Sequence, residues 1–230
     1  MIFARPARPI VNIPRQRHAR QSVAILLCFG ALLGAFQGTV DIRAADRPEA
    51  PLLRGLGKHH HPITTNWKLA QRYFDQGLIL MYNFNHAEAI RSFQAAAQID
   101  PDCAMAWWGV AYAEGPNINA PMMPDAYPHA WAALQKAIAL KPGVSEREQA
   151  YIDALSSRYT EEAPEDRSRL DRAFVRAARE VARDYPDDLD AQVILCEAIM
   201  NTMPWSYWSP DKQPKELTAE LLDTLQLLAS

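Results

Sequence analysis

Cysteine is scarce: three residues in 230, with no paired spacing and no CxxCH for covalent haem. The chain also lacks GxSxG, HExxH, a P-loop and GxGxxG. The usual sequence marks of serine hydrolases, zinc proteases, and nucleotide or dinucleotide enzymes are therefore missing. No stretch alternates apolar and polar residues in the manner of a half-buried strand, so the pattern throughout is helical. Apolar runs are short as well. The longest, residues 23–36 (VAILLCFGALLGAF), has 14 residues, against about 20 needed to span a bilayer as a helix.

That run has a specific context. Arg5, Arg8, Arg15, Arg17 and Arg20 precede it, and the first acid is Asp41. A basic segment followed by a short apolar core is the pattern of a secretory signal, with small residues at Ala44 and Ala45 offering cleavage positions. Residues 1–44 are thus expected to be a signal peptide, cleaved or retained as an anchor, and the rest to be exported to a bacterial periplasm. Cys28 lies inside the apolar core, where a lipoprotein site would not fall. Removing the leader takes away six of the 24 bases and one of the 27 acids, leaving 18 bases and 26 acids, a net charge of −8. Such a surface repels a phosphate backbone, and no nucleic-acid partner is expected. Membrane contact is expected only through the leader.

What the chain does contain is a two-helix repeat at Ala70–Pro101. Tyr73, Gln76, Gly77, Leu80, Ala89, Phe93 and Pro101 sit at the offsets of a 34-residue unit: bulky residue, small residue, aromatic, alanine, aromatic, proline. Small Gly77 and Ala89 suit a close helix crossing, Phe93 fills the space beside them, and Pro101 stops the second helix. On these residues the segment resembles the tetratricopeptide repeat (TPR) family, with Gln76 standing where leucine is usual. Looser copies follow. Trp107, Ala111, Ala130, Leu134 and Pro142 mark a second, lengthened by about seven residues within 115–128. Ser145 and Glu148 form a capping box that opens a third, whose first helix should run to about Tyr159. Pro164 suits the first turn of its second helix, which ends at Pro186. A fourth begins near Asp188, passes the loop MPWSYWSPDKQP and resumes with leucines at 217, 221, 222, 225 and 228. The resemblance implies an all-α, right-handed solenoid of about four hairpins over residues 65–230, with two irregular insertions inside hairpins. An extended lead-in strap over 45–64 precedes it. Whether the array continues beyond 230 stays open.

In TPR proteins the first helix of each pair lines a concave binding surface. Carried onto this chain, those positions include Gln71, Phe74, Leu78, Met81 and Tyr82, then Met105, Trp108 and Tyr112. Their aromatic character suits a peptide or partner protein, while packing within a tight coil would explain Phe74 and Trp108 equally well. Asn117 and Asn119 in the first inserted loop offer amide groups, and Trp205 and Trp208 in the second offer aromatic contact area. Both loops fall at the same point of the repeat and should emerge on one side. Cys103 and Cys196 open hairpins two repeats apart in a solenoid where each repeat touches only its neighbours, so no disulfide is expected.

His59, His60 and His61 are the weak candidates for a metal, with Cys103, Met105, Met122, Met123 and His129 as conceivable co-ligands. No spacing enforces such a site, so no metal and no cofactor is assigned. Acid pairs such as Glu161–Glu162 and Asp187–Asp188 read as solvated caps. Glu114, beside the first inserted loop, is the one carboxylate whose burial would point to catalysis. The expectation is a non-catalytic binding or scaffold protein with a peptide or protein partner. The alternative is a metal- or small-ligand-binding protein using the histidines and the GPNIN loop.

Overall fold

The small residues of the repeat set the helix spacing. In the computed structural model, which describes residues 49–229, the ring of Phe93 is fully buried between two glycines. A Cβ added to Gly77 would lie 2.5 Å from Phe93 Cε1, and one on Gly109 would lie 2.3 Å from Cδ1. Bare backbone on both sides thus lets α1 (Lys68–Tyr82), α2 (His86–Ile99) and α3 (Ala104–Ala113) meet around one aromatic ring. α2 yields to Pro101, and α4 (Ala126–Leu140) pairs with α3 beyond the first inserted loop.

The remaining helices are α5 (Glu146–Ser156), α6 (Ser168–Asp184), α7 (Leu189–Thr202) and α8 (Thr218–Leu228). Four hairpins result, α1–α2, α3–α4, α5–α6 and α7–α8. The first helices stack in turn, α1 on α3 and α3 on α5. This is the all-helical stack of hairpins expected of a TPR-like solenoid. Among the described residues the only extended pairings are isolated bridges at Asn117–Ala120 and Trp208–Pro214, and no helix is long and apolar enough to cross a membrane. The expected leader lies outside the described residues.

Local signals mostly decide helix ends. Ser145 accepts from the Glu148 amide while Glu148 reaches back to Ser145, completing the capping box, and Asp188 caps α7 through the amides of Asp190 and Ala191. The third hairpin corrects the sequence reading. α5 stops at Ser156 rather than Tyr159, and Pro164 lies in the connection, four residues before α6 begins. The chain leaves the helix early because Arg158 and Tyr159 turn into the core. Arg158 Nη2 donates to the Pro116 carbonyl at 2.7 Å, and Tyr159 Oη donates to that of Ala111 at 2.7 Å. Asp166, rather than Pro164, prepares the next start by accepting from the Ser168 amide at 2.8 Å.

Residues 49–67 are non-helical and cross the first helices as a strap. Gly55 and Gly57 adopt φ of 84° and 94°, turning the strap where other residues would be strained. Polar contacts fix it. Tyr73 donates to the Ala50 carbonyl, and Gln76 bonds Pro51, Leu53 and Ser92. Gln76 therefore departs from the repeat's leucine because a strap, not another apolar helix face, covers it. Glu148 is buried and takes four hydrogen bonds: from the Thr64 amide at 2.6 Å, the Thr64 hydroxyl at 2.5 Å, the Ser145 amide at 3.0 Å and its hydroxyl at 2.6 Å.

Candidate functional site

The positions carried over as a concave surface are not open to solvent. Phe74, Leu78, Trp108 and Tyr112 are buried, and Tyr82 is half-buried. Trp108 stacks on Tyr112 with ring centroids 5.0 Å apart, Tyr151 meets its edge, and its indole N–H donates to the Tyr151 carbonyl. Strap and α7 fill the hollow that a wider coil would leave: His61, Asp190 and Ile194 close over Phe74, Leu78 and Trp108. The packing reading of the aromatic stripe is the one realised.

Polar groups along α7 meet this stripe at two levels. At the first, Asp190 accepts from Tyr82 Oη at 2.7 Å and pairs with His61 Nδ1 at 2.7 Å and His59 Nε2 at 3.1 Å. Burial pushes the Asp190 carboxyl up, but hydrogen bonds from His61 and Tyr82 outweigh it and hold the group below its ordinary value. At the second level, seven residues on, Glu197 accepts from the Tyr112 hydroxyl. Arg158, 1 % exposed, has Nη2 3.7 Å from Glu197. Burial and the Glu197 charge hold the Tyr112 phenol far above its usual range. Asp190, Glu197 and Arg158 were not singled out from sequence. The signal was present in the two acids at an i, i+7 spacing on an otherwise apolar helix. Asp188 corrects the reading of its acid pair as solvated, since its side chain is only 7 % exposed.

The first inserted loop meets the end of α7, where the second loop begins. Pro116 and Asn201, 85 residues apart, are joined by an Asn201 Nδ2 donation to the Pro116 carbonyl at 3.3 Å. Between the loops lies a cavity of about 240 Å³, walled by residues 116–121, Pro204, Arg167, Asp171 and Asn201. Asn117 spends its side-chain oxygen on its own loop, accepting from the Asn119 and Ala120 amides at 2.9 and 3.1 Å, so it shapes the wall. Asn119 is exposed. Beyond Pro204, Trp205 and Trp208 stand 71 % and 52 % exposed, Trp205 with φ 58°. A second, apolar cavity of about 150 Å³ opens between Phe84, His86, Cys196, Met200 and Leu225, with Glu197 beside it.

The remaining candidates are dispersed. His60 pairs with Asp75 at 2.9 Å, and His86 packs its Nδ1 3.0 Å from Met81 Sδ, burial lowering its pKa. Met122 is buried near Arg167, Met123 is exposed, and Glu114 is half-buried, its carboxyl raised chiefly by burial. Cys103 and Cys196 are free and buried, their thiols pushed up to about 12 and about 11. They are packing residues rather than nucleophiles.

Residues 70–103, the hairpin α1–α2 with the start of the next, match the tetratricopeptide repeat family model. No curated protein and no solved structure matches the chain. Repeats of this kind generally mediate protein–protein interaction, which agrees with a binding or scaffold role.

Proposed function

We propose that the chain is a non-catalytic binding protein of the cell envelope that recognises a peptide or partner protein on the face built by its two inserted loops. The observation that carries this reading is the cavity walled by the first inserted loop, the end of α7 and Pro204 of the second loop, with exposed Trp205 and Trp208 following Pro204 in the chain. Long loops held by a rigid scaffold are common carriers of recognition. Tryptophan is enriched among residues that dominate interface energies. Export rests on the arginine-rich, apolar leader.

The test is a photo-crosslinkable residue at position 205 in the exported protein, to capture the partner in cells. Titration of that partner against Trp205→Ala/Trp208→Ala should then show at least a tenfold loss of affinity. Equal affinity for the double variant and the native chain would overturn the assignment of this face.

A further inference from the structure

The strap and α7, 129 residues apart in sequence, bring two imidazoles and two carboxylates together. One donor atom each from His61, Asp188 and Asp190 lies within 4.8 Å of the others, and all three side chains are largely buried. His59 Nε2 lies 3.1 Å from Asp190 Oδ1, at the edge of this group of three. Bonds of about 2.0–2.2 Å from nitrogen or oxygen to a small divalent ion set neighbouring donors about 3 Å apart and opposed ones about 4 Å apart. The separations of 2.7 Å (His61 to Asp190) and 3.9 Å (His61 Nδ1 to Asp188 Oδ1) lie near those two values.

A hydrogen-bonded His–Asp pair would account for the first distance alone. It leaves Asp188 Oδ2 buried with no hydrogen-bond partner, beside the likewise unpartnered Tyr151 hydroxyl. Such orphaned groups are costly and call for an unplaced ligand. The nearest fixed cation, Arg147 Nη1, is 3.7 Å from Asp188 Oδ2 and donates instead to the Pro62 carbonyl through Nη2. We propose that His61, Asp188 and Asp190 form a binding site for a divalent first-row transition-metal ion that ties the strap to α7, with His59 at its entrance. Imidazole with carboxylate selects zinc, manganese, iron(II) or cobalt over the all-oxygen preference of magnesium and calcium, and no thiol joins the set. Outer support is in place. Tyr82 donates to Asp190, and the Asp190 and Ala191 amides hold Asp188. His59, 36 % exposed, supplies the entry path.

The experiment is isothermal titration and thermal unfolding of the full chain with ZnCl₂, MnCl₂, CoCl₂ and MgCl₂, together with the visible ligand-field spectrum of the cobalt form. The native protein should bind zinc or manganese and unfold at higher temperature with it. Asp188→Asn, which keeps the cap of α7, should weaken binding at least tenfold. Asp190→Asn should abolish it, and His60→Ala should bind as the native chain does. Cobalt bands present in the native protein and lost in His61→Ala would support the assignment. No binding of zinc, manganese or cobalt at millimolar concentration would overturn it. So would binding that Asp188→Asn and Asp190→Asn leave intact, or magnesium binding as tightly as zinc. None of these readouts depends on the partner-binding face.

Discussion

The first and fourth hairpins are built from the same two-helix plan and differ in what they do with their aromatic residues. In the first, three residues join α1 to α2, and Phe74 and Phe93 pack with ring centroids 5.5 Å apart in the core. In the fourth, fifteen residues separate α7 from α8, Trp205 and Trp208 point outward, and α8 keeps Leu222 and Leu225 exposed. A short turn with glycine at the crossing commits Phe74 and Phe93 to packing, although Phe84 in the turn itself stands 50 % exposed. A long turn releases side chains to the surface. On the proposed reading the regular hairpin carries stability and the irregular one recognition, and substitutions in the two should separate.

The sharpest division should come at Phe93. Its ring is closed in by Gly77 and Gly109, so Phe93→Ala leaves a cavity that rigid backbone cannot fill. We expect a loss of about 3–5 kcal/mol in urea unfolding. The reverse change, Gly109→Ala, pushes a methyl group to 2.3 Å from a ring with nowhere to move, and should cost about 1–3 kcal/mol. A loss below 1 kcal/mol in both would remove the idea that one ring spaces three helices. The strap belongs with the stable half. Glu148→Ala strips four hydrogen bonds from Thr64 and Ser145 at once and should cost about 2–4 kcal/mol, with faster proteolysis before residue 68. Intact protection of that segment would mean that the strap is held elsewhere.

Much of this was legible in sequence because repeats write their packing locally. Gly77, Ala89, Phe93 and Pro101 announce a hairpin, and the capping box at Ser145 announces a helix start, without reference to anything distant. The count of four hairpins, the meeting of the first loop with the start of the second and the free cysteines followed from the same spacing. What could not be read was the closure of the inner face. Nothing near Phe74 or Trp108 in sequence says that His61 and Ile194 will cover them, since that depends on how tightly the hairpins coil. Asp190 and Glu197 were hidden for the same reason. Their partners Tyr82, His61, Tyr112 and Arg158 come from four other elements, so no local window holds both halves of either network. Pro164 misled because a proline suits a first helical turn and a connection equally. Arg158 and Tyr159, turning inward, decided between them.

The fourth hairpin should give the opposite response to substitution. Trp205→Asn replaces an exposed ring at φ 58° with a residue that accepts the left-handed region. Stability should rise by about 0.5 kcal/mol in urea unfolding while partner affinity falls at least tenfold. A clear destabilisation would place Trp205 with the packing residues and dissolve the contrast between the hairpins.

The smallest effect is expected at the junction of the two regimes, where Glu114 ends α3 beside the first inserted loop. Burial raises its carboxyl above the ordinary value, against the pull of His129, so the folded chain holds this proton more tightly than the unfolded chain does. For an acid shifted upward the penalty is absent below the unfolded value. It grows as pH rises through the interval between the unfolded and folded values, and is complete above the folded one. Glu114→Gln removes the charge and so should raise the melting temperature slightly at pH 7 and leave it unchanged near pH 3. A variant that melts lower at pH 7 would mean that the ionised carboxylate is stabilising. Glu114 would then return as an acid near the loops with a role to find.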